Sequence, residues 1–153
     1  PVEVFETRFP LQCESFKLVE DSGGPGKHRG GLSTQRTLKG LTSTITGSQM
    51  SDRHSNRPWG LYGGHGGGTA GTWHMAANTG EWRTIDDAFN KVSPSKWSNV
   101  TIGPGDRMRF QTPGGGGWGN PKERPSESVK EDLAEGYISI HQAEEIYGLN
   151  KTN

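Results

Sequence analysis

The ten residues Ser51-Asp52-Arg53-His54-Ser55-Asn56-Arg57-Pro58-Trp59-Gly60 carry the densest chemistry in this chain. A carboxylate, a guanidinium and an imidazole occupy consecutive positions, immediately ahead of a glycine-rich segment. Arg53 could hold an anionic or amide-bearing group through charge-assisted hydrogen bonds, and His54 could exchange a proton near neutral pH. Asp52, Arg53 and His54 are therefore candidates for a binding site or an interface. The same residues can also serve structure alone, with Asp52 and Arg53 fixing a turn and Pro58-Trp59 packing on the body. Both roles stay open. His65, set between glycines, could approach a ligand or stand exposed on a loop. His28, His74 and His141 lack metal-ligand spacing, and Cys13, the single cysteine, suits a strand core better than a nucleophile. No Ser/His/Asp or Cys/His set is discernible, so no catalytic residue is assigned and no metal site is expected.

The elements that must hold these residues are dominated by glycine. Gly23, Gly24, Gly26, Gly30 and Gly31 form one group, the stretch from Gly60 through Gly63 and Gly64 to Gly71 a second, and Gly114-Gly115-Gly116-Gly117-Trp118-Gly119 a third. G-x-G-x-x-G occurs at Gly114-Gly116-Gly119 and at Gly66-Gly68-Gly71, but neither opens a helix. Pro121 and Pro125 forbid one after the former, so the dinucleotide fingerprint fails on context. Lys27 is followed by His28 rather than by Ser or Thr, so a phosphate loop fails as well. Two conformations remain for the glycines: mobile surface loops, or polyproline II segments packed backbone to backbone. The strand signals running into Gly114 and the tryptophan at 118 favour packing.

With 28% hydrophobic residues and 24 glycines in 153, the chain fits one domain but brings few side chains to a core. It is expected to complete its core against a larger polypeptide and to fold poorly alone. Seventeen basic and seventeen acidic residues give zero net charge, with no electrostatic footprint for nucleic acid or an anionic membrane. No apolar run is long enough to span a bilayer and no signal peptide is evident, so the cytoplasm is the expected compartment and the sequons at Asn99 and Asn150 carry no weight.

The patterning is mainly β, with a short C-terminal helical hairpin. Residues 2–20 suggest two short strands around Phe9-Pro10-Leu11, and 32–50 a pair of strands. Residues 72–99 suggest loop with one turn at Asp86-Asp87-Ala88. Val100-Ile102 and Met108-Gln111 suggest a hairpin through Gly103-Pro104-Gly105-Asp106. From Ser126 a helix runs through Val129 and Leu133 to Gly136, and a second starts at Ser139 with Gln142 as its capping-box partner. The expected architecture is a twisted-sheet or barrel-like body over 1–125, with glycine-rich polyproline II-like segments. A helical hairpin over 126–153 packs on it within a single domain.

In order, Ser22 through Gly31, Ser51-Asp52-Arg53 through Pro58-Trp59-Gly60 with Gly63-Gly64, Pro94-Ser95-Lys96, Pro104-Gly105-Asp106, Thr112 through Gly119, and the tail from Gly136-Tyr137-Ile138-Ser139 to Tyr147-Gly148 resemble the C-terminal region of the hydantoinase B / 5-oxoprolinase family. The similarity covers nearly the whole chain but only the last part of a family protein. Trp118 and Asn120 stand where the family usually has tyrosine and aspartate, and residues 69–92 match poorly. The resemblance implies ATP-dependent chemistry on an amide, lactam or ketone. A hydantoinase A-type ATPase partner, using ATP and Mg2+, would phosphorylate a carbonyl oxygen. The B-type component would complete hydrolysis or, as in acetophenone carboxylase, carboxylation. It implies that this chain binds no cofactor itself, although a metal elsewhere in the B-type component fits, and that it is inactive without its partners. The metal ligands and catalytic residues of B-type proteins map outside this stretch. A non-catalytic assembly module that docks a larger partner is the alternative.

Overall fold

The computed structural model describes residues 1–149; the sequon at Asn150 lies outside them. The chain forms two compact units, each gathered from three separate stretches. The first takes Pro1–Lys17, Gln35–His54 and Gly71–Gln111; the second takes Leu18–Thr34, Ser55–Ala70 and the chain from Thr112 onward.

The first unit is built on two sheets. Strands β1 (Leu11–Leu18), β2 (Thr34–Gly40), β4 (Gly71–Met75), β5 (Arg83–Thr84) and β7 (Arg107–Gln111) form a five-stranded sheet in the order β1-β2-β7-β4-β5. Strands β3 (Ile45–Met50) and β6 (Lys96–Ile102) pair antiparallel as a second sheet. Neither sheet closes, so the body is mainly β but not a barrel. Where β3 runs from Gly47 to Gln49, β6 runs from Val100 to Trp97 and carries one extra residue. Asn99 absorbs that bulge with φ 55, a value asparagine tolerates better than most residues. Trp97, Val100 and Ile102 of β6, Met108 of β7 and Ile85 of helix α2 (Ile85–Phe89) make the buried core.

Three expectations need correction. Residues 2–8 form helix α1 (Val2–Arg8), not a strand. Phe5 and Phe9 sit one turn apart with ring centroids at 5.2 Å, and Glu3 and Arg8 suit the two ends of the dipole. Residues 72–99 are not mainly loop. They hold β4, β5, α2 and the start of β6, elements too short to show a period. β6 and β7 are strands joined through Gly103–Asp106, yet they do not pair: β6 joins β3, and β7 lies between β2 and β4. At the turn Asp106 Oδ2 accepts from the Gly103 backbone at 2.8 Å, and Oδ1 accepts from Ala77 at 3.0 Å.

In the second unit the three glycine-rich stretches bond to one another without forming a ladder. Gly24 donates to Gly115 (2.8 Å), Gly115 to Gly31 (2.8 Å), Gly117 to His65 (2.9 Å) and His65 to Pro25 (2.7 Å). Gly114 donates to Gly68 and Gly68 in turn to Ser22. The run 114–117 lies outside the positive-φ region. These glycines are required by space rather than by backbone freedom. A Cβ on Gly64 or Gly117 would enter the backbone of Gly117 or Pro25 respectively. Close packing of backbone on backbone is therefore what the glycines serve.

Helices α3 (Ser126–Ala134) and α4 (Ile140–Glu145) complete this unit around Val129, Ile138, Ala143 and Tyr147. Gly136, at φ 69, ends α3 as expected. Ser139 caps α4, its hydroxyl accepting from Gln142 N at 3.1 Å. The backbone donor of Ser139 is taken by Asp21 Oδ1 at 2.8 Å, so Asp21 supplies the second half of the cap. Asp132 of α3 receives Arg29 through two bonds (3.0 and 3.1 Å) and Arg124 through a third (2.8 Å). This nearly buried Arg-Asp-Arg set ties the helices to the first glycine motif.

Candidate functional site

β3 ends at Met50, and the chain leaves the sheet through Ser51 to His54. The Ser51 backbone still donates to Ser95 O at 2.9 Å, which holds the exit in register. Arg53 takes φ 67, and this left-handed step turns the chain back within three residues. As a result His54 Nε2 lies 2.9 Å from Ser51 Oγ. Ser51 Oγ also accepts from Gln49 Nε2 at 2.7 Å and lies 3.3 Å from Ser95 O. Gln49 is fixed in turn by Thr72, whose hydroxyl donates to Gln49 Oε1 at 2.9 Å. Four side chains from β3, its exit and β4 thus form one continuous polar chain.

The chain supports two proton arrangements. The Ser51 hydroxyl can donate to a neutral His54 Nε2, or it can donate to Ser95 O while Nε2–H donates to it. Burial lowers the His54 pKa below its usual range, partly opposed by the negative charge of Asp86. A neutral imidazole beside a hydroxyl, near a carboxylate, can move a proton to or from a bound group. Asp86 Oδ1 is itself buried without a hydrogen-bond partner.

The candidates named from sequence separate here. His54 joins the polar chain, Arg53 supplies the strained turn, and Asp52 is exposed at its apex. Ser51, Gln49, Thr72 and Asp86 were not singled out. Ser51 and His54 are three residues apart, and that spacing was the available signal; Thr72 and Asp86 reach the site only through folding. His65 belongs to the second unit, where its backbone joins the glycine array and its side chain is exposed. His74 lies 3.3 Å from Asp106 Oδ2, with the Phe89 ring edge against it, inside the first unit.

Gly23, Gly24, Gly26, Gly30, Gly31, Gly63, Gly64 and 114–119 all lie in the second unit. The N–H groups of Gly114, Gly115 and Gly117 are committed to Gly68, Gly31 and His65, so this run cannot cradle a phosphate. Trp118 bridges to both His28 and Leu61 and meets the rings of His28 (5.4 Å) and Tyr62 (5.6 Å). Among the described residues no group of three or more His, Cys, Asp or Glu is placed to hold a metal, and no helix is long and apolar enough to cross a membrane.

The chain belongs to the Hydantoinase B/oxoprolinase family, whose model matches residues 1–121. It is 36% identical to the uncharacterized protein MJ0963 of Methanocaldococcus jannaschii over 94% of this chain and 23% of that protein. It is 31% identical to the B-type polypeptide of a putative D-/L-hydantoinase from a Pseudomonas strain, over 100% of this chain and 24% of that one. The ATP-dependent caprolactamase crystal structure from Pseudomonas jessenii shares the fold, with TM-score 0.81 and 24% identity over all of this chain and 25% of that one. The chain thus spans about a quarter of the length of these two relatives.

Proposed function

We propose that this chain is one part of the B-type component of an ATP-dependent enzyme that opens a cyclic amide, such as a hydantoin, 5-oxoproline or lactam, or carboxylates a ketone. The observation that carries the reading is the Hydantoinase B/oxoprolinase match across residues 1–121. The relatives named as a putative D-/L-hydantoinase and an ATP-dependent caprolactamase support it. A hydantoinase A-type ATPase partner, in the same cytoplasmic complex, binds ATP and Mg2+ and phosphorylates the carbonyl oxygen, which makes a poor electrophile reactive. The B-type component then completes the conversion while holding the intermediate away from bulk water. This chain binds no cofactor and is inactive alone.

Within that component the Ser51-His54 pair is proposed to handle a proton, with Gln49 and Thr72 holding the serine hydroxyl in place. Asp52 and Arg53 flank the pair as polar contacts, and His65 is proposed as an interface residue. The glycine array is scaffold. The test is to purify the protein with its A-type partner and assay product formation from a panel of hydantoins, 5-oxoproline, lactams and ketones, with and without ATP. ATP-dependent turnover of at least one of them is expected. Full assembly with no turnover of any, under either condition, would instead favour a non-catalytic assembly module.

A further inference from the structure

On the inner face of the β3-β6 sheet, Ile45, Gly47 and Gln49 lie beside Ile102, Val100 and Trp97, their partners in register. Gly47 leaves a notch in that row. Beside the notch an open cavity of about 450 Å³ is walled by Leu38, Met108 and Phe110 from the five-stranded sheet, by Trp97, by Phe5 of α1 and by Phe9 just after it. No charged side chain lines it. α1 buries none of its residues, and Phe9 is 48% exposed.

Gly47 differs from the array glycines. A Cβ there would make only ordinary contacts, 3.8 Å to Trp97 and 4.0 Å to Val100 O, and its φ lies outside the left-handed region. Neither conformation nor crowding demands glycine, so the notch is space open to a side chain from elsewhere. Of its lining only Ser48 and Gln49 have polar side chains, so the cavity offers a water few of the partners it needs.

We propose that this cavity is the socket for an apolar segment of the remaining B-type polypeptide, which inserts uncharged side chains over Gly47 and beneath α1. The occupant follows from length: the MJ0963 protein, the hydantoinase B-type polypeptide and the caprolactamase chain each devote about three quarters of their length to residues outside this stretch. The inference rests on the reading that this chain is one part of a B-type component. It assigns the surface where the two parts join.

The assembled protein carrying Phe9→p-benzoylphenylalanine tests this by photo-crosslinking and peptide mapping. An adduct from position 9 to a peptide outside residues 1–153 is expected. An adduct confined to residues 1–153, an adduct to a second copy of the same segment, or no adduct would overturn the proposal. In parallel, Gly47→Leu should fill the notch and reduce assembly at least tenfold, while Gly47→Ala assembles normally. Assembly of Gly47→Leu at the wild-type level would also overturn it. Turnover on the substrate panel with no outside adduct removes the socket alone, whereas the expected adduct with no turnover removes the functional reading alone.

Discussion

Gly30 and Gly31 are neighbours of the same type in one motif, and the array demands opposite behaviour from them. A methyl on Gly30 would enter the backbone of Gly115 and press on Gly116 O, whereas one on Gly31 meets nothing within 4 Å. Backbone cannot rotate aside as a side chain can, so Gly30→Ala must displace the run at 115. Overpacking of this kind costs about 1–3 kcal/mol. The displacement also disturbs the bonds from Gly24 to Gly115 and from Gly115 to Gly31, each worth about 1 kcal/mol. The expected loss is therefore about 3–5 kcal/mol. The melting temperature should fall by several degrees, less than the roughly 2–4 °C per kcal/mol of an isolated domain of this size because the assembled protein is larger. Gly31→Ala should be neutral or stabilise by up to about 1 kcal/mol, because it restricts the unfolded chain without meeting an obstacle. Thermal melts of the assembled protein, followed by tryptophan emission, compare the two variants directly. Equal shifts from both would refute the close-packed array and return the glycines to mobile loops.

Further outcomes follow from the polar sites. Asp132→Ala should cost about 3–5 kcal/mol, since it leaves Arg29 and Arg124 without their shared carboxylate; chemical denaturation would show this, and a loss below 1 kcal/mol would mean the arginines find other partners. Because burial depresses the His54 pKa below the unfolded value of 6.5, the native state binds fewer protons there than the unfolded state. His54 therefore contributes a term that is lost as pH falls from about 6.5 through its lowered folded pKa. His54→Asn should flatten that part of the pH–stability profile, and an unchanged slope would count against the buried neutral imidazole. Asp52→Ala and Arg53→Ala, assayed in the reconstituted complex, should lower turnover while leaving assembly intact; unchanged turnover in both would confine them to the turn.

Much of this architecture was legible in the sequence because its signals are local. Ser139 before Ile140 and Gly136 after Ala134 mark helix ends through their own backbone chemistry. The glycine groups leave mobile loops and close packing open, and the strand signals before Gly114 with Trp118 after it favour packing. What remained hidden depends on distant chain. Val100-Ile102 and Met108-Gln111 read as a hairpin because they are adjacent in sequence, yet each prefers a partner more than 30 residues away. The helix at Val2–Arg8 was masked by a few β-formers, and α2 and β5 are too short to show a period. His54 was legible as a residue type; its partnership with Ser51 required the left-handed turn at Arg53. The Gln49-Thr72 link and the field of Asp86 exist only in the folded chain.

The most direct test of the account separates the two halves of the proposed reaction in the complete assembly. With His54→Asn and Ser51→Ala, ATP cleavage and product formation are measured on the same sample, after sedimentation confirms intact assembly. If the pair handles a proton after the carbonyl is activated, product formation should fall by about 10²–10⁴-fold while substrate-dependent ATP cleavage persists. Product formed at the wild-type rate by both variants would contradict the account.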